Sequence, residues 1–180
     1  MKSIEAVKVL HEWDMRGRFL FRSQDLGLLF GESGDTLRST IKRLVADGVI
    51  KRLARNAYLY CFMHPQGIDL IGHIATFLRP GEYTYESPES AASQWGFISQ
   101  IPLGRISCVT TGAAGVVDTP LGGIEYVHTD DDLNTVIRGT LSRLPRNRLP
   151  IATRERCLHD LVSRNRSVEL IDWEEVEDVD

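Results

Sequence analysis

In this 180-residue chain, the side chains best suited to bind a ligand are the cationic, hydroxyl and amide side chains between positions 33 and 56. Arginine and lysine can donate hydrogen bonds to base edges, and all three kinds of side chain can contact phosphate oxygens. The candidate DNA contacts are Ser33, Thr36, Arg38, Ser39, Lys42, Arg43, Arg52, Arg55 and Asn56. Their types and spacing lead to the hypothesis that this stretch binds double-stranded DNA.

One amphipathic helix is predicted to position the first six of these residues. Ser33 is the expected N-cap, and Gly48 is expected to end the helix in a left-handed conformation. Apolar residues recur between them at the spacing of a single helix face, which leaves the cations on the other face. These apolar residues are Leu37, Ile41, Leu44 and Val45.

The flanking segments predict a winged helix-turn-helix. A helix over residues 3–16 with Trp13 in the core, a strand at 19–21 and a short helix beginning at Ser23 come first. Strands at 49–53 and 58–62 are then expected to form a hairpin that pairs with the strand at 19–21, with Arg52, Arg55 and Asn56 near the hairpin tip. A helical interaction module with a solvated charged face is the alternative interpretation.

Charge divides the chain into two parts. Residues 1–62 contain eleven Lys/Arg and seven Asp/Glu, a balance of +4, whereas residues 63–180 contain ten and eighteen, a balance of −8. The first part of the chain is therefore basic, although the net charge of the whole chain is −4. We expect an α+β protein with two domains, 1–63 and 67–180, joined by a short linker at residues 64–67.

Composition argues against several other classes of protein. No apolar run reaches the roughly 20 residues that span a bilayer, and the first residues lack a secretion signal, so no membrane association and a cytoplasmic location are expected. Cys61, Cys108 and Cys157 are expected to be reduced thiols. Because the five histidines form no Cys/His pair at ligand spacing, neither a metal site nor a cofactor is expected.

The second domain lacks the usual signatures of catalysis. All four lysines lie in the first domain, so the second has no phosphate-loop or Schiff-base lysine. Ser87 and Ser90 are predicted to begin a helix, with Ser87 as its cap, because no nucleophile elbow surrounds them. The triad Asp130–Asp132 is likewise predicted to start a helix, and strands at 106–110, 116–119 and 124–128 to form an antiparallel meander. We do not expect an enzyme.

Arginine is concentrated late in the chain, where residues 138–166 contain eight arginines and two acidic residues. Arginine forks suit phosphate and carboxylate groups. The predicted secondary basic patch consists of Arg138, Arg143, Arg146, Arg148, Arg154 and Arg156. A partner or nucleic acid is one destination for these side chains, and internal pairing or plain solvation is the other.

Six segments in a fixed order resemble the AbiEi family of antitoxins from bacterial type IV toxin-antitoxin and phage-defence systems. They are RNAYLY at 55–60, LRPG at 78–81, YESPESAASQWGFISQ at 85–100, VTTG at 109–112, GGIEYVH at 122–128 and IATRER at 151–156. The resemblance covers most of the chain. Arg154 departs from it, since the family pattern has proline at that position.

The resemblance implies a winged helix-turn-helix that represses its own operon, joined to a smaller mixed α/β antitoxin-type domain that counters a nucleotidyltransferase-like toxin. Because one winged helix-turn-helix has a small footprint, tight binding to the promoter is expected to need two copies on repeated half-sites or help from the C-terminal arginines. Arg38, Ser39, Lys42 and Arg43 would then face the DNA groove, with Arg55 at the wing. The alternative is a ligand-responsive transcriptional repressor without a toxin partner.

Overall fold

The computed structural model describes residues 1–64, 69–99, 104–143 and 149–177. The chain forms two compact units, Met1–Gly67 (unit 1) and Ile68–Asp180 (unit 2). Both contain helices and a sheet, so the expected α+β class is confirmed. Unit 2, which the sequence predicted to be the smaller, is the larger of the two. Residues 65–67 of the predicted linker lie outside the described residues.

Unit 1 places three helices around a three-stranded antiparallel sheet whose order is β1-β3-β2. Leu59 of the central strand lies opposite Leu20, and Tyr60 lies opposite Ile50. The predicted pairing of a first short strand with the hairpin is therefore confirmed. The elements are α1 (Ser3–Asp14), β1 (Leu20–Arg22), α2 (Ser23–Phe30), α3 (Gly34–Ala46), β2 (Ile50–Ala54) and β3 (Ala57–Tyr60).

Apolar residues from every element of unit 1 converge on one core. Fully or almost fully buried side chains come from the helices and from the strands, and their removal from water stabilises the unit. They include Leu10, Phe21, Leu26, Leu44, Ile50 and Tyr60. Trp13, predicted to be core, is only partly buried, and the guanidinium groups of Arg16 and Arg18 lie 5.3 and 5.5 Å from its ring centroid.

Unit 2 contains a six-stranded mixed sheet with the order β6-β7-β5-β4-β9-β8. Its strands are β4 (Thr84–Glu86), β5 (Arg105–Thr110), β6 (Gly115–Thr119), β7 (Gly122–His128), β8 (Thr140–Leu141) and β9 (Ile151–Ala152). Its helices are α4 (Leu70–Leu78), α5 (Glu89–Trp95), α6 (Leu133–Arg138), α7 (Arg154–Ser163) and α8 (Trp173–Glu177), with a 3-10 turn at Val168–Leu170.

The predicted antiparallel meander is wrong. β7 pairs in parallel with β5 and antiparallel with β6, so it lies between the two strands that precede it. Burial explains this order: Ile124 and Tyr126 of β7 are buried, whereas β6 is largely exposed and takes the edge of the sheet. Alternation of apolar residues identifies strands but carries no information about which strand pairs with which.

Helix starts in unit 2 follow two of the sequence predictions. Asp132 caps α6, where its Oδ2 accepts hydrogen bonds from the amides of Asn134 and Thr135 at 3.0 and 3.3 Å. Ser90 lies in the first turn of α5, as predicted, but Ser87 does not cap that helix. The N-cap residue is Pro88, and the Ser87 hydroxyl is engaged elsewhere. No helix in the described ranges has both the length and the hydrophobicity needed to cross a bilayer.

Candidate nucleic-acid interface

One face of α3 is open to solvent and carries most of the candidate DNA contacts. Ile41 and Leu44 are buried and hold the other face against the core of unit 1. Val45, predicted to face inward, is 39% exposed. The buried residues of α3 are Thr40, Ile41 and Leu44, so the buried face of the helix is turned toward Thr40 and away from Val45. The exposed candidates on α3 or just before it are Ser33, Thr36, Arg38, Ser39, Lys42 and Arg43.

Ser33 does not cap α3 with its side chain, contrary to the prediction. Its backbone carbonyl instead accepts a hydrogen bond from the amide of Leu37 at 3.3 Å. Gly34 follows with a φ of +57°, so the chain enters the helix from a direction in which the serine hydroxyl does not reach the first amides. Gly48 has a φ of +69° and ends the helical segment in the left-handed conformation, as predicted.

A groove of about 520 Å³ runs between α3 and the β2–β3 hairpin. Arg38 and Lys42 line it from the helix, and Arg52 and Asn56 line it from the hairpin. The rest of its lining consists of Ser23, Gly34, Leu37, Ile41, Val45 and Tyr58. Three cations and an amide, contributed by α3 and the hairpin, thus lie around one concave surface. Four of the other lining side chains are aliphatic or aromatic.

Asn56 occupies the turn of the hairpin with a φ of +59°, in the left-handed region that asparagine tolerates better than most residues. Its Oδ1 accepts a hydrogen bond from the Ser23 hydroxyl at 3.3 Å, which orients the Nδ2 donor away from that contact. Arg52 donates through Nε to the carbonyl of Ala54 at 3.3 Å. The hairpin therefore holds its polar side chains in defined positions beside α3.

The remaining candidates are less closely grouped. Arg55 is exposed in the hairpin turn but does not line the groove. Arg38 forms an ion pair with Asp35 at 2.6 Å, with 81% of its side chain exposed, so water competes strongly with that contact. Arg43 donates to the carbonyl of Met1, which ties it to the amino terminus.

Contacts of the amino terminus with the α2–α3 turn were not foreseen from the sequence. The terminal amine of Met1 pairs with Glu32, and its hydrogen bond is the main cause of the lowered pKa of that carboxyl. Ser3 donates to Asp47 at 2.6 Å, at the end of α3. These contacts join residues more than 30 positions apart, which local sequence patterns do not encode.

Three of the four patch arginines that the structure describes contact partners within unit 2, which favours the internal-pairing alternative for these three. Arg143 donates to Glu86 Oε2 at 2.7 Å and to Gln94 Oε1 at 2.8 Å. Arg154 lies 4.6 Å from the Phe97 ring centroid and donates to the carbonyl of Glu175. Arg138 is exposed, and Arg146 and Arg148 lie outside the described residues.

Arg156 is the most deeply buried of these arginines and contacts two carboxylates. Its Nη2 lies 2.5 Å from Asp131 Oδ2 and 3.1 Å from Asp160 Oδ1, and its Nε donates to the Tyr85 hydroxyl at 3.0 Å. Asp160 is fully buried and also accepts hydrogen bonds from the hydroxyls of Tyr85 and Ser87 at 2.9 and 2.8 Å. Burial, followed by the charge of Asp160, raises the pKa of Tyr85 far above its ordinary value.

The segment that carries much of the family resemblance therefore lines the interior of unit 2. Besides Tyr85 and Ser87, Ser90 exchanges hydrogen bonds with Ser107, and Glu89 pairs with Arg166. Burial raises the pKa of the Glu86 carboxyl, an effect that Arg143 opposes. Within the described residues, this arrangement gives the Ser87 hydroxyl the role of a donor to Asp160.

A second cluster missed by the sequence analysis lies in unit 1. His11, Asp14 and His64 bring two imidazoles and a carboxylate together. The spacing of His11 and Asp14 places them on one face of α1, which the sequence alone could have indicated. His64 lies 50 positions after Asp14, so only the fold brings it to this place.

No protein-family model matches the chain, and no curated protein matches it. Among solved structures, the chain is similar to the crystal structure of the RV2827C protein from Mycobacterium tuberculosis, with 17% sequence identity and a TM-score of 0.60. The match covers 87% of this chain, which spans 59% of the length of that protein. At this identity the similarity concerns the fold alone.

Proposed function

We propose that unit 1 is a winged helix-turn-helix that binds double-stranded DNA and represses the operon encoding the chain. The observation that carries the proposal is the convergence of Arg38, Lys42, Arg52 and Asn56 on one groove beside the exposed face of α3. In this proposal α3 is the recognition helix and the β2–β3 hairpin is the wing.

The dimensions of α3 suit the major groove. Its 13 residues correspond to a length of about 20 Å, and the roughly 12 Å wide groove admits one helix. Arg38 and Lys42 lie one turn apart, so both can reach base edges of neighbouring base pairs. Arginine can contact guanine through both ends of its fork, whereas lysine acts as a point charge.

Other exposed cations of unit 1 suit contacts with the phosphate backbone. Arg52 and Arg55 belong to the hairpin, which in this proposal follows the sugar-phosphate backbone beside the recognition helix. The +4 balance of residues 1–62 adds a sequence-independent attraction for DNA. One such module has a small footprint, so tight binding needs two copies on repeated half-sites or additional contacts from the C-terminal arginines.

Binding to the promoter upstream of the gene, measured by fluorescence anisotropy, tests the proposal. The double variant Arg38→Ala/Lys42→Ala is expected to lose discrimination between the promoter and random DNA, since each base-edge contact contributes about 1 to 3 kcal/mol. Lys8→Ala/Arg16→Ala is the matched control, because it removes two exposed cations of the same unit from the region of α1. Unchanged discrimination in the first variant would contradict the proposal.

We also propose that unit 2 acts as an antitoxin in the cytoplasm and counters a nucleotidyltransferase-like toxin. The support is the ordered set of six segments, several of which supply internal contacts of unit 2. Co-expression with a neighbouring nucleotidyltransferase-like gene tests this part, and growth rescue is the expected result. Arg38→Ala/Lys42→Ala should rescue growth as well as the parent chain, which separates the antitoxin activity from DNA binding. Absence of rescue by the parent chain would contradict the antitoxin role.

A further inference from the structure

Unit 1 contains a compact group of potential metal ligands, none of which lines the α3 groove. His11 and Asp14 lie in the last turn of α1, and His64 follows the end of β3. One ligand atom from each residue lies within 4.8 Å of the other two. The two imidazole rings have centroids 5.4 Å apart and planes inclined by 33°.

Asp14 is the fixed member of the group. Its side chain is 2% exposed, and its Oδ2 lies 2.6 Å from Nδ1 of His64. The same oxygen accepts a hydrogen bond from the backbone amide of His64 at 3.1 Å. A buried carboxylate held in this way is already desolvated and oriented, so little reorganisation is needed for it to bind a cation.

The two histidine side chains are accessible to solvent, so their rings can rotate. Both are exposed, and 47% of the His64 side chain is in contact with solvent. Ligand atoms of a tetrahedral zinc ion lie about 3.4 Å apart, given metal–ligand distances of about 2.0 to 2.2 Å. Rotation of the exposed rings can therefore close the longer separations and open the 2.6 Å contact between His64 and Asp14.

We propose that His11, Asp14 and His64 bind a divalent transition-metal ion of the zinc type. Two imidazoles and one carboxylate form a donor set typical of zinc, cobalt and nickel, while magnesium and calcium prefer oxygen ligands. Coordination by the ion takes the place of the hydrogen-bonded contact between His64 Nδ1 and Asp14 Oδ2. Three protein ligands leave one coordination position for water or a further donor.

The metal joins α1 to the chain segment that leaves β3. His64 is the last described residue before residues 65–68, and it contacts α1 through hydrogen bonds with Asp14 and through its ring beside that of His11. Coordination by three side chains is a stronger connection than this contact, and binding to the folded state alone stabilises that state. Zinc should therefore stabilise unit 1.

Isothermal titration of the full chain with zinc chloride tests the site, using reduced protein without an affinity tag. One saturable site per chain is expected, and His11→Ala and His64→Ala should each weaken binding at least about 10-fold. Zinc should also raise the Tm of the parent chain more than that of either variant. These two variants are decisive because they alter exposed side chains, whereas replacement of buried Asp14 could unfold the unit.

Two control variants locate the metal. His128→Ala removes an exposed histidine that contacts Asp130 at 2.8 Å in unit 2, and Cys61→Ser removes a partly buried thiol of unit 1. Both should bind zinc as the parent chain does. The proposal is overturned if the parent chain shows no saturable binding, if both histidine variants retain it, or if either control loses it. The variant Arg38→Ala/Lys42→Ala should bind zinc normally, so failure of the DNA-binding proposal leaves this one intact.

Discussion

At the scale of single residues, Asp160 is a buried carboxylate of unit 2 with several partners. It is fully buried and accepts hydrogen bonds from Tyr85, Ser87 and Arg164, and its ion pair with Arg156 adds a second positive charge. A buried carboxylate is tolerated only with such partners, because the loss of hydration is otherwise uncompensated. Removal of Asp160 takes an acceptor from two arginines and two hydroxyls, and of the two arginines Arg156 keeps its ion pair with Asp131.

Asp160→Ala is therefore expected to lower the free energy of unfolding by about 3 to 5 kcal/mol. Urea denaturation followed by circular dichroism measures the change. Asp118→Ala is the control, since Asp118 forms an exposed pair with Arg105 at 3.4 Å and should contribute about 0 to 1 kcal/mol. Equal decreases in the free energy of unfolding of the two variants would show that the buried network stabilises the protein no more than an exposed ion pair does.

Glu125 gives a pH-dependent prediction at the same scale. Hydrogen bonds from Arg166, at 2.8 and 2.9 Å, are the main cause of the lowered pKa of this carboxyl, whose ordinary value is 4.5. A carboxyl whose pKa is lowered by folding stabilises the protein above its ordinary pKa. This contribution is lost as the pH falls through the lower value in the folded state.

Glu125→Gln should reduce the free energy of unfolding at pH 7 by about 1 to 3 kcal/mol. Between pH 5 and pH 3, the free energy of unfolding of this variant should fall less than that of the parent chain. Some slope should remain, because the hydrogen bond from Arg156 also lowers the pKa of Asp131. Urea titrations at several pH values provide the measurement, and identical pH slopes in the two proteins would refute the assignment.

At the scale of elements, two left-handed residues determine how α3 and the hairpin are joined. Gly48 follows α3 with a φ of +69°, and Asn56 turns the hairpin with a φ of +59°. The first allows β2 to begin directly after the helix, and the second brings β3 back beside β2. Together they bring Arg52 and Asn56 to the groove beside α3.

Gly48→Ala should lower the free energy of unfolding by about 1 kcal/mol, because a Cβ atom disfavours a left-handed backbone. Among the described residues other than Gly48 and its two chain neighbours, no heavy atom lies within 4 Å of the added Cβ, so the loss reflects backbone strain and not a steric clash. Gly48→Asn is the matched control and should lose less, since asparagine tolerates this conformation. Thermal and urea unfolding of the two variants measure the difference; a larger loss in the asparagine variant would contradict this explanation.

At the scale of the whole molecule, the chain combines two compact units of opposite charge balance. Unit 1 has a core of its own, with contributions from all three helices and from its sheet. A unit with a complete core can fold alone, although one of this size is only marginally stable.

The fragment 1–67 is therefore expected to fold cooperatively by itself. In our proposal it also keeps the preference for the promoter, with weaker affinity than the full chain if unit 2 contributes to pairing of two copies. Circular dichroism and anisotropy measure the two properties. A fragment that is unfolded under native conditions would refute the first expectation, and a folded fragment that does not distinguish the promoter would refute the second.

The sequence by itself determined the features that depend on neighbouring residues. The helical period of Leu37, Ile41 and Leu44, the glycine exit at residue 48 and the cap at Asp132 all follow from local geometry and short-range hydrogen bonds. The exposure of Arg38 and Lys42 follows from the same period. These patterns were sufficient to predict the strand and helix order of unit 1.

Only the tertiary structure decided which distant residues meet. Parallel pairing of β5 with β7, the burial of Arg156 against Asp131 and Asp160, and the approach of His64 to Asp14 all depend on long-range packing. The same local sequence can leave a charged side chain in solvent or pair it internally. Which of the two occurs depends on the desolvation and the partners that the whole fold supplies. The sequence for that reason left both interpretations of the arginine block open, and the structure pairs Arg143, Arg154 and Arg156 within unit 2.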